Sequence, residues 1–163
     1  MTAKGMNTRN RCSGWQRHFG GPLMVLVLLG CGHLLARTLT IDELKNRATS
    51  GAIGGRPALC LEVSERQLKA ADQLYTAGDN AKAEAAISDV AKYSELARDY
   101  AIQSHKHEKQ SEIAVRKMAR KLADLKHAVS HDEQKGVQNA IDRLQRVRDD
   151  LLAAMFPNGG KNR

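Results

Sequence analysis

Between Ser111 and Val129 apolar and charged residues alternate with a helical rhythm. Val115, Met118, Leu122, Leu125 and Val129 follow one another at spacings of three and four. On an α-helix that places all five on one stripe. Arg116, Lys117, Arg120, Lys121 and Asp124 fall on the opposite side. Such a stripe needs other helices to cover it, and the chain predicts them before and after.

Upstream, Thr40-Ile41-Asp42-Glu43 has the pattern of a capping box, which predicts a short helix running to about Ala48. The stretch 49–57 carries Gly51, Gly54, Gly55 and Pro57 and reads as a loop. It lacks the GxxxxGK[ST] spacing of a phosphate cradle, and no strand precedes it. The next helix is predicted from near Pro57, a residue suited to a first turn. Its stripe runs through Leu61, Leu68, Ala71, Leu74 and Tyr75, with Glu62–Arg66 and Glu65–Lys69 as i,i+4 pairs on the wet side. Gly78 should end it, and Asp79 should cap the helix that follows.

That following helix carries Ala83, Ala86, Ile87, Val90, Ala91, Ala97 and Ala101 near one face, widened by Tyr93, Leu96 and Tyr100. No Gly or Pro stands between Asp79 and Lys135, so its end is unmarked. From Gln103 to Glu112, Ile102 and Ile113 bound a run without a large apolar residue. A turn near Ser104–His107 would make a compact bundle. The alternative is one rod through both segments, about 75 Å long at 1.5 Å per residue. After the opening stretch, Ser130 and Glu133 form a second capping-box pattern. The last helix shows Val137, Ala140, Ile141, Leu144, Val147, Leu151, Ala154 and Met155 on a broad stripe, with Asp142–Arg146 and Arg146–Asp150 lacing its outer face.

Ala71, Leu74, Tyr75, Gly78, Asp79 and Ala83 stand as A-x-x-L-Y-x-x-G-D-x-x-x-A, with Ile87 beyond. This segment of about twenty residues resembles the middle of a tetratricopeptide (TPR) helical hairpin. The family usually has an aromatic after the Gly-Asp, where this chain has Asn80, and residue 112, one family period of 34 on from Gly78, is Glu. The resemblance implies one antiparallel hairpin; it does not imply a peptide-binding array.

Composition changes the picture mainly at the N-terminus. Of 26 basic residues, Lys4, Arg9, Arg11 and Arg17 lie in the first thirty, where there is no acid. The other 22 oppose 18 acids, so half of the formal charge of +8 belongs to that segment and the remainder carries an ordinary +4. A basic region followed by Leu23–Leu29 and small residues reads as an export signal over residues 1–36. The apolar run is short of the roughly 20 residues a spanning helix needs. Two processing readings fit. Leu28-Leu29-Gly30-Cys31 resembles a bacterial lipobox, which implies lipidation of Cys31; alternatively cleavage follows Ala36, giving a soluble protein. Either way Cys60 is left as the one mature cysteine, so no intramolecular disulfide can form, and its place between Leu59 and Leu61 reads as buried packing.

No HExxH, GxSxG, CxxC or dinucleotide fingerprint occurs. His127 and His131 are i,i+4, but Ser130 should end the helix between them. His105 and His107 lie about 30 Å away along a straight helix. No catalytic, metal or cofactor site is expected. Arg116, Lys117, Arg120 and Lys121 form a basic patch, yet the few mature aromatics offer no stacking platform for nucleic acid. The patch suits anionic lipid or an anionic polymer.

The expected architecture is all-α. A short helix and Gly-rich loop (residues 37–57) would precede two antiparallel helical hairpins forming a four-helix bundle (58–156), and a disordered tail (157–163) would follow. The expected role is a non-catalytic interaction or structural protein of the cell envelope, soluble in the periplasm or lipid-anchored, with a protein partner. The alternative is an envelope protein binding anionic lipid or polymer through Arg116, Lys117, Arg120 and Lys121.

Overall fold

The computed structural model describes residues 39–157. These residues form α1 (Ile41–Ser50), α2 (Arg56–Thr76), α3 (Asn80–Ser104), α4 (Glu108–Ala128) and α5 (His131–Met155), with a 3-10 turn at Ile53–Gly55 and no strand among them. The proposed export signal, Cys31 and the residues from 158 onward lie outside the described residues.

Each boundary has a local cause. At α1 the Thr40 hydroxyl accepts from the Glu43 amide at 3.2 Å, and the Glu43 carboxylate accepts from the Thr40 amide at 3.1 Å. The Gly-rich loop folds into the 3-10 turn, and α2 starts at Arg56, beside the expected start near Pro57. Pro57 sits buried in its first turn, where no amide proton is needed. At the other end of α2, Gly78 adopts φ 78°. The Asp79 amide donates to the Leu74 carbonyl at 2.9 Å and the Gly78 amide to Tyr75 at 3.1 Å, a Schellman cap. Asp79 then accepts from the Lys82 amide and opens α3.

The same cap recurs between α3 and α4 with histidine in the glycine position. His105 has φ 51°, and the Lys106 amide reaches the Ala101 carbonyl at 3.2 Å. His107, at φ 66°, leads into α4 without a side-chain cap. The chain from 80 to 128 is therefore two helices, broken by a turn that no Gly or Pro marks. α5 opens on the Ser130–Glu133 capping box, with the Ser130 amide donating to the Glu133 carboxylate at 2.9 Å.

Contacts between side chains set the helix directions. Gln67 meets Asp89, and Ser64 meets the Val90 carbonyl, so α2 and α3 are antiparallel. Lys126 meets Gln138 and Arg148 meets Glu112, so α4 and α5 are antiparallel too. Glu95–Arg143 and Arg98–Asp150 run α3 parallel to α5. α3 packs on α2 and on α5, α4 on α5, and α1 on α2, while α2 and α4 touch sparsely. One core joins them. It takes Leu44 and Ala48 from α1, Val63 and Leu68 from α2, the alanines and Val90 of α3, the stripe of α4, and Val137 to Leu151 of α5.

Of four outer-face pairs expected, one forms and three do not. Glu62–Arg66 forms, but Glu65 and Lys69 make no ion pair among the described residues. Asp142 accepts from Gln138 instead of Arg146. Asp150 reaches across to Arg98 of α3 at 2.8 Å instead of along its own helix. A partner on a neighbouring helix is reached without curling both side chains back onto one helix surface.

Candidate functional site

The sparse meeting of α2 and α4 opens a cleft of about 620 Å³. Its two walls carry matching rows at i, i+4 and i+7: Glu65, Lys69 and Asp72 on α2, Lys117, Lys121 and Asp124 on α4. The two helices are parallel, so the two rows run in the same direction along the cleft. None of these six makes an ion pair among the described residues. The floor is Leu68, Met118 and Leu125, already 5%, 1% and 7% exposed. The cleft thus has an apolar floor and a rim of charged side chains.

Of the basic patch read from the sequence, Lys117 and Lys121 line this cleft. Arg116 and Arg120 lie exposed on the outside of α4. Arg116 Nε lies 3.7 Å from Glu112, a buried carboxylate held more closely by Arg148 at 2.9 Å. The patch therefore has two parts: Arg116, tied loosely into a structural pair, and three cations without one. Glu65, Asp72 and Asp124 sit beside Lys117 and Lys121 and offset their charge locally.

The opposite side of the molecule is knitted. Arg143 grips Glu95 with two bonds of 2.7 and 2.8 Å between α3 and α5, and the guanidinium holds the Glu95 carboxyl below its ordinary pKa. Near α1, Asp89 accepts from Lys45 at 2.6 Å and from Gln67 at 2.9 Å, joining α1, α2 and α3. The hydrogen bond to Asp89 raises the Lys45 pKa. Ser64 Oγ lies 3.3 Å from Ser94 Oγ and 3.2 Å from the Val90 carbonyl, where the small side chains let α2 and α3 approach. These groups are occupied with one another and hold helices together.

A second cleft, about 420 Å³, lies between the N-terminal halves of α3 and α5, with Glu84, Lys135 and Arg143 on its walls. Tyr75 borders it, its hydroxyl buried without a hydrogen-bond partner. Burial raises the Tyr75 pKa, reinforced by the Glu84 and Glu133 carboxylates. Cys60 is fully buried, and desolvation pushes its thiol up to about 11, so it remains a neutral packing group. His105 and His107 sit in the α3–α4 turn and His127 and His131 flank the α4–α5 turn. No group of three or more metal-ligating side chains comes together among the described residues.

Sequence reasoning missed the buried polar residues Ser64, Gln67, Ser94, Ser111 and Glu112. The signal was present: Ser64 and Gln67 continue the Leu61–Leu68–Ala71 stripe, and Ser111 lies one turn before Val115. Their polarity hid them, since the stripes were drawn from apolar residues alone. Among the described residues no helix is long and apolar enough to cross a membrane. The chain matches no known protein-family profile, no curated protein and no solved structure.

Proposed function

We propose that this is a non-catalytic helical interaction or structural protein of the bacterial cell envelope. The observation that carries the reading is the division of its charges. Asp89, Glu95, Glu112 and Asp150 are engaged in pairs that join helices, while the α2–α4 side keeps Lys69, Lys117, Arg120 and Lys121 without partners among the described residues. Cations free of structural duty beside an open cleft suit recognition of another molecule better than acid–base chemistry. The leader composition supports export, and the lipobox-like Cys31 keeps a lipid-anchored form beside the soluble periplasmic one. Within this reading, α2–α3 is a TPR-like hairpin, and α2 to α5 form a four-helix bundle to which α1 is appended.

The test is affinity capture of the mature protein from envelope extract, with its mass in solution measured alongside. A stoichiometric protein partner is expected. A turnover assay that finds activity, or a monomer that captures nothing, overturns the reading.

A second reading has its own observation: the exposed residues of α4 include five cations, Lys109, Arg116, Lys117, Arg120 and Lys121, against the single acid Asp124. That face suits anionic lipid or polymer. Replacing Arg116, Lys117, Arg120 and Lys121 by Gln should abolish binding to anionic vesicles. Unchanged binding sinks this second reading.

A further inference from the structure

The large apolar side chains that the described residues leave exposed are Ile53, Ile113 and Phe156, at 41%, 45% and 63%. They are far apart in sequence, yet they fall at one end of the bundle. That end gathers the start of α2, the end of α3, the start of α4 and the end of α5. Arg56 stacks over the Tyr100 ring at 5.1 Å, which sets the 3-10 turn and Ile53 beside the last turns of α3. A Cβ placed on Gly54 would lie 3.6 Å from Lys106 Cδ, so this turn abuts the α3–α4 connection. Arg98–Asp150 and Glu112–Arg148 bring the end of α5, and Phe156 beyond it, to the same place.

The charges around these side chains are unequal. Lys106 and Lys109 are exposed and make no ion pair among the described residues, and Arg116 has only its loose contact with Glu112. The acids nearby are mostly engaged: Asp99 and Asp150 both hold Arg98, and Glu112 holds Arg148. Glu108 is half-buried with His105 at 3.8 Å, which leaves Asp149 as the exposed acid without a partner. The two clefts described above lie away from this end. The end therefore offers isolated apolar side chains framed by cations, away from both clefts. A fluid anionic interface can mould to such a shape, and charge complementarity favours it.

We propose that this end of the bundle docks on an anionic lipid bilayer surface, with Ile53, Ile113 and Phe156 entering the headgroup layer and Lys106, Lys109 and Arg116 meeting the phosphates. It rests on the second reading above and moves the contact from the middle of α4 to the bundle end. The proteinaceous alternative, an acidic partner, requires no apolar insertion.

The experiment uses the full chain carrying Trp15→Phe and Phe156→Trp, so that the introduced tryptophan is the only one. Its emission is read on phosphatidylcholine vesicles with and without phosphatidylglycerol, beside co-sedimentation of the same samples. The expected result is a blue shift on the phosphatidylglycerol-containing vesicles alone. Adding Lys106→Gln and Lys109→Gln should weaken vesicle binding about fivefold per lysine, the equivalent of ~1 kcal/mol each. Co-sedimentation with unshifted emission overturns this inference and leaves the second reading standing. An equal shift on pure phosphatidylcholine overturns it as well, because charge then has no part. Absence of co-sedimentation overturns both. Phe156, Lys106 and Lys109 are exposed, and circular dichroism of each variant checks that the helices are retained.

Discussion

The two long sides of this molecule are built from similar helices and behave differently. On the α3–α5 side, Glu95–Arg143 and Arg98–Asp150 tie the helices together, beside the cleft of about 420 Å³ between their N-terminal halves. On the α2–α4 side none of the bordering charges, Glu65, Lys69, Asp72, Lys117, Lys121 and Asp124, makes an ion pair among the described residues, and a cleft of about 620 Å³ remains. The difference teaches that close packing of amphipathic helices depends on what borders the apolar stripe. Charges that pair across a seam tie two helices together; charged side chains that find no partner across it leave room for a cleft. Charges that make no pair within the fold stay available at the surface.

The sharpest way to test the comparison is in the core on each side. Leu144→Ala on α5, fully buried, should cost about 3 kcal/mol, whereas Leu68→Ala under the cleft should cost about 2 kcal/mol, because that site can relax toward an open wall. Urea unfolding midpoints of the two variants decide it. Equal losses would mean that the α2–α4 side is packed as firmly as the other.

The next effect concerns the cross-helix pair. Arg143→Met should lower stability by about 1 kcal/mol at pH 7, the scale of a charge-assisted bond at a half-buried site. The pair also makes a pH prediction. Arg143 depresses the folded-state pKa of Glu95 below its unfolded value. Its contribution is therefore fully present above the unfolded pKa and is lost as pH falls through the lower, folded value. Relative to wild type, a Glu95→Gln variant should lose stability at pH 7 and converge with it in strong acid. Parallel melting curves at both pH values would remove the pair from the account.

A smaller effect of opposite sign is expected at Gly136, exposed in the second turn of α5 beside the second cleft. A Cβ there meets nothing within 4 Å. Gly136→Ala should add about 0.5–1 kcal/mol by reducing the freedom of the unfolded chain, readable as a raised melting temperature. The smallest effect is predicted on the cleft rim. Lys69→Gln, Lys117→Gln and Lys121→Gln should each change stability by less than about 0.5 kcal/mol. A clear loss in thermal melts at low salt would show that these lysines serve the fold, and the contrast between the sides would then fall.

Most of the helical framework was legible because it is written in local chemistry. Thr40 with Glu43, Gly78 with Asp79, and Ser130 with Glu133 mark ends that need only a few neighbouring residues to form, and all three act as read. The α3–α4 turn was harder, because histidine occupies the left-handed position where glycine is usual. Only the absence of apolar residues between Ile102 and Ile113 hinted at it. The candidate surface was half legible. The stripe periodicity placed Arg116, Lys117, Arg120 and Lys121 outside the core, but which of them has a partner depends on residues dozens of positions away. Arg148, 36 residues beyond Glu112, takes the buried carboxylate and leaves Arg116 with a loose contact.

By itself the sequence determined that the chain is helical, where most of its helices begin and end, and which apolar residues form the inward stripes. Each of these is settled by spacings of three and four and by caps spanning about four residues. Tertiary structure decided which sides close and which stay open, which charges are neutralised across helices, and that Ile53, Ile113 and Phe156 share one end. Those outcomes depend on helix direction and register, which are fixed by the packing of distant segments and leave no local trace in the chain.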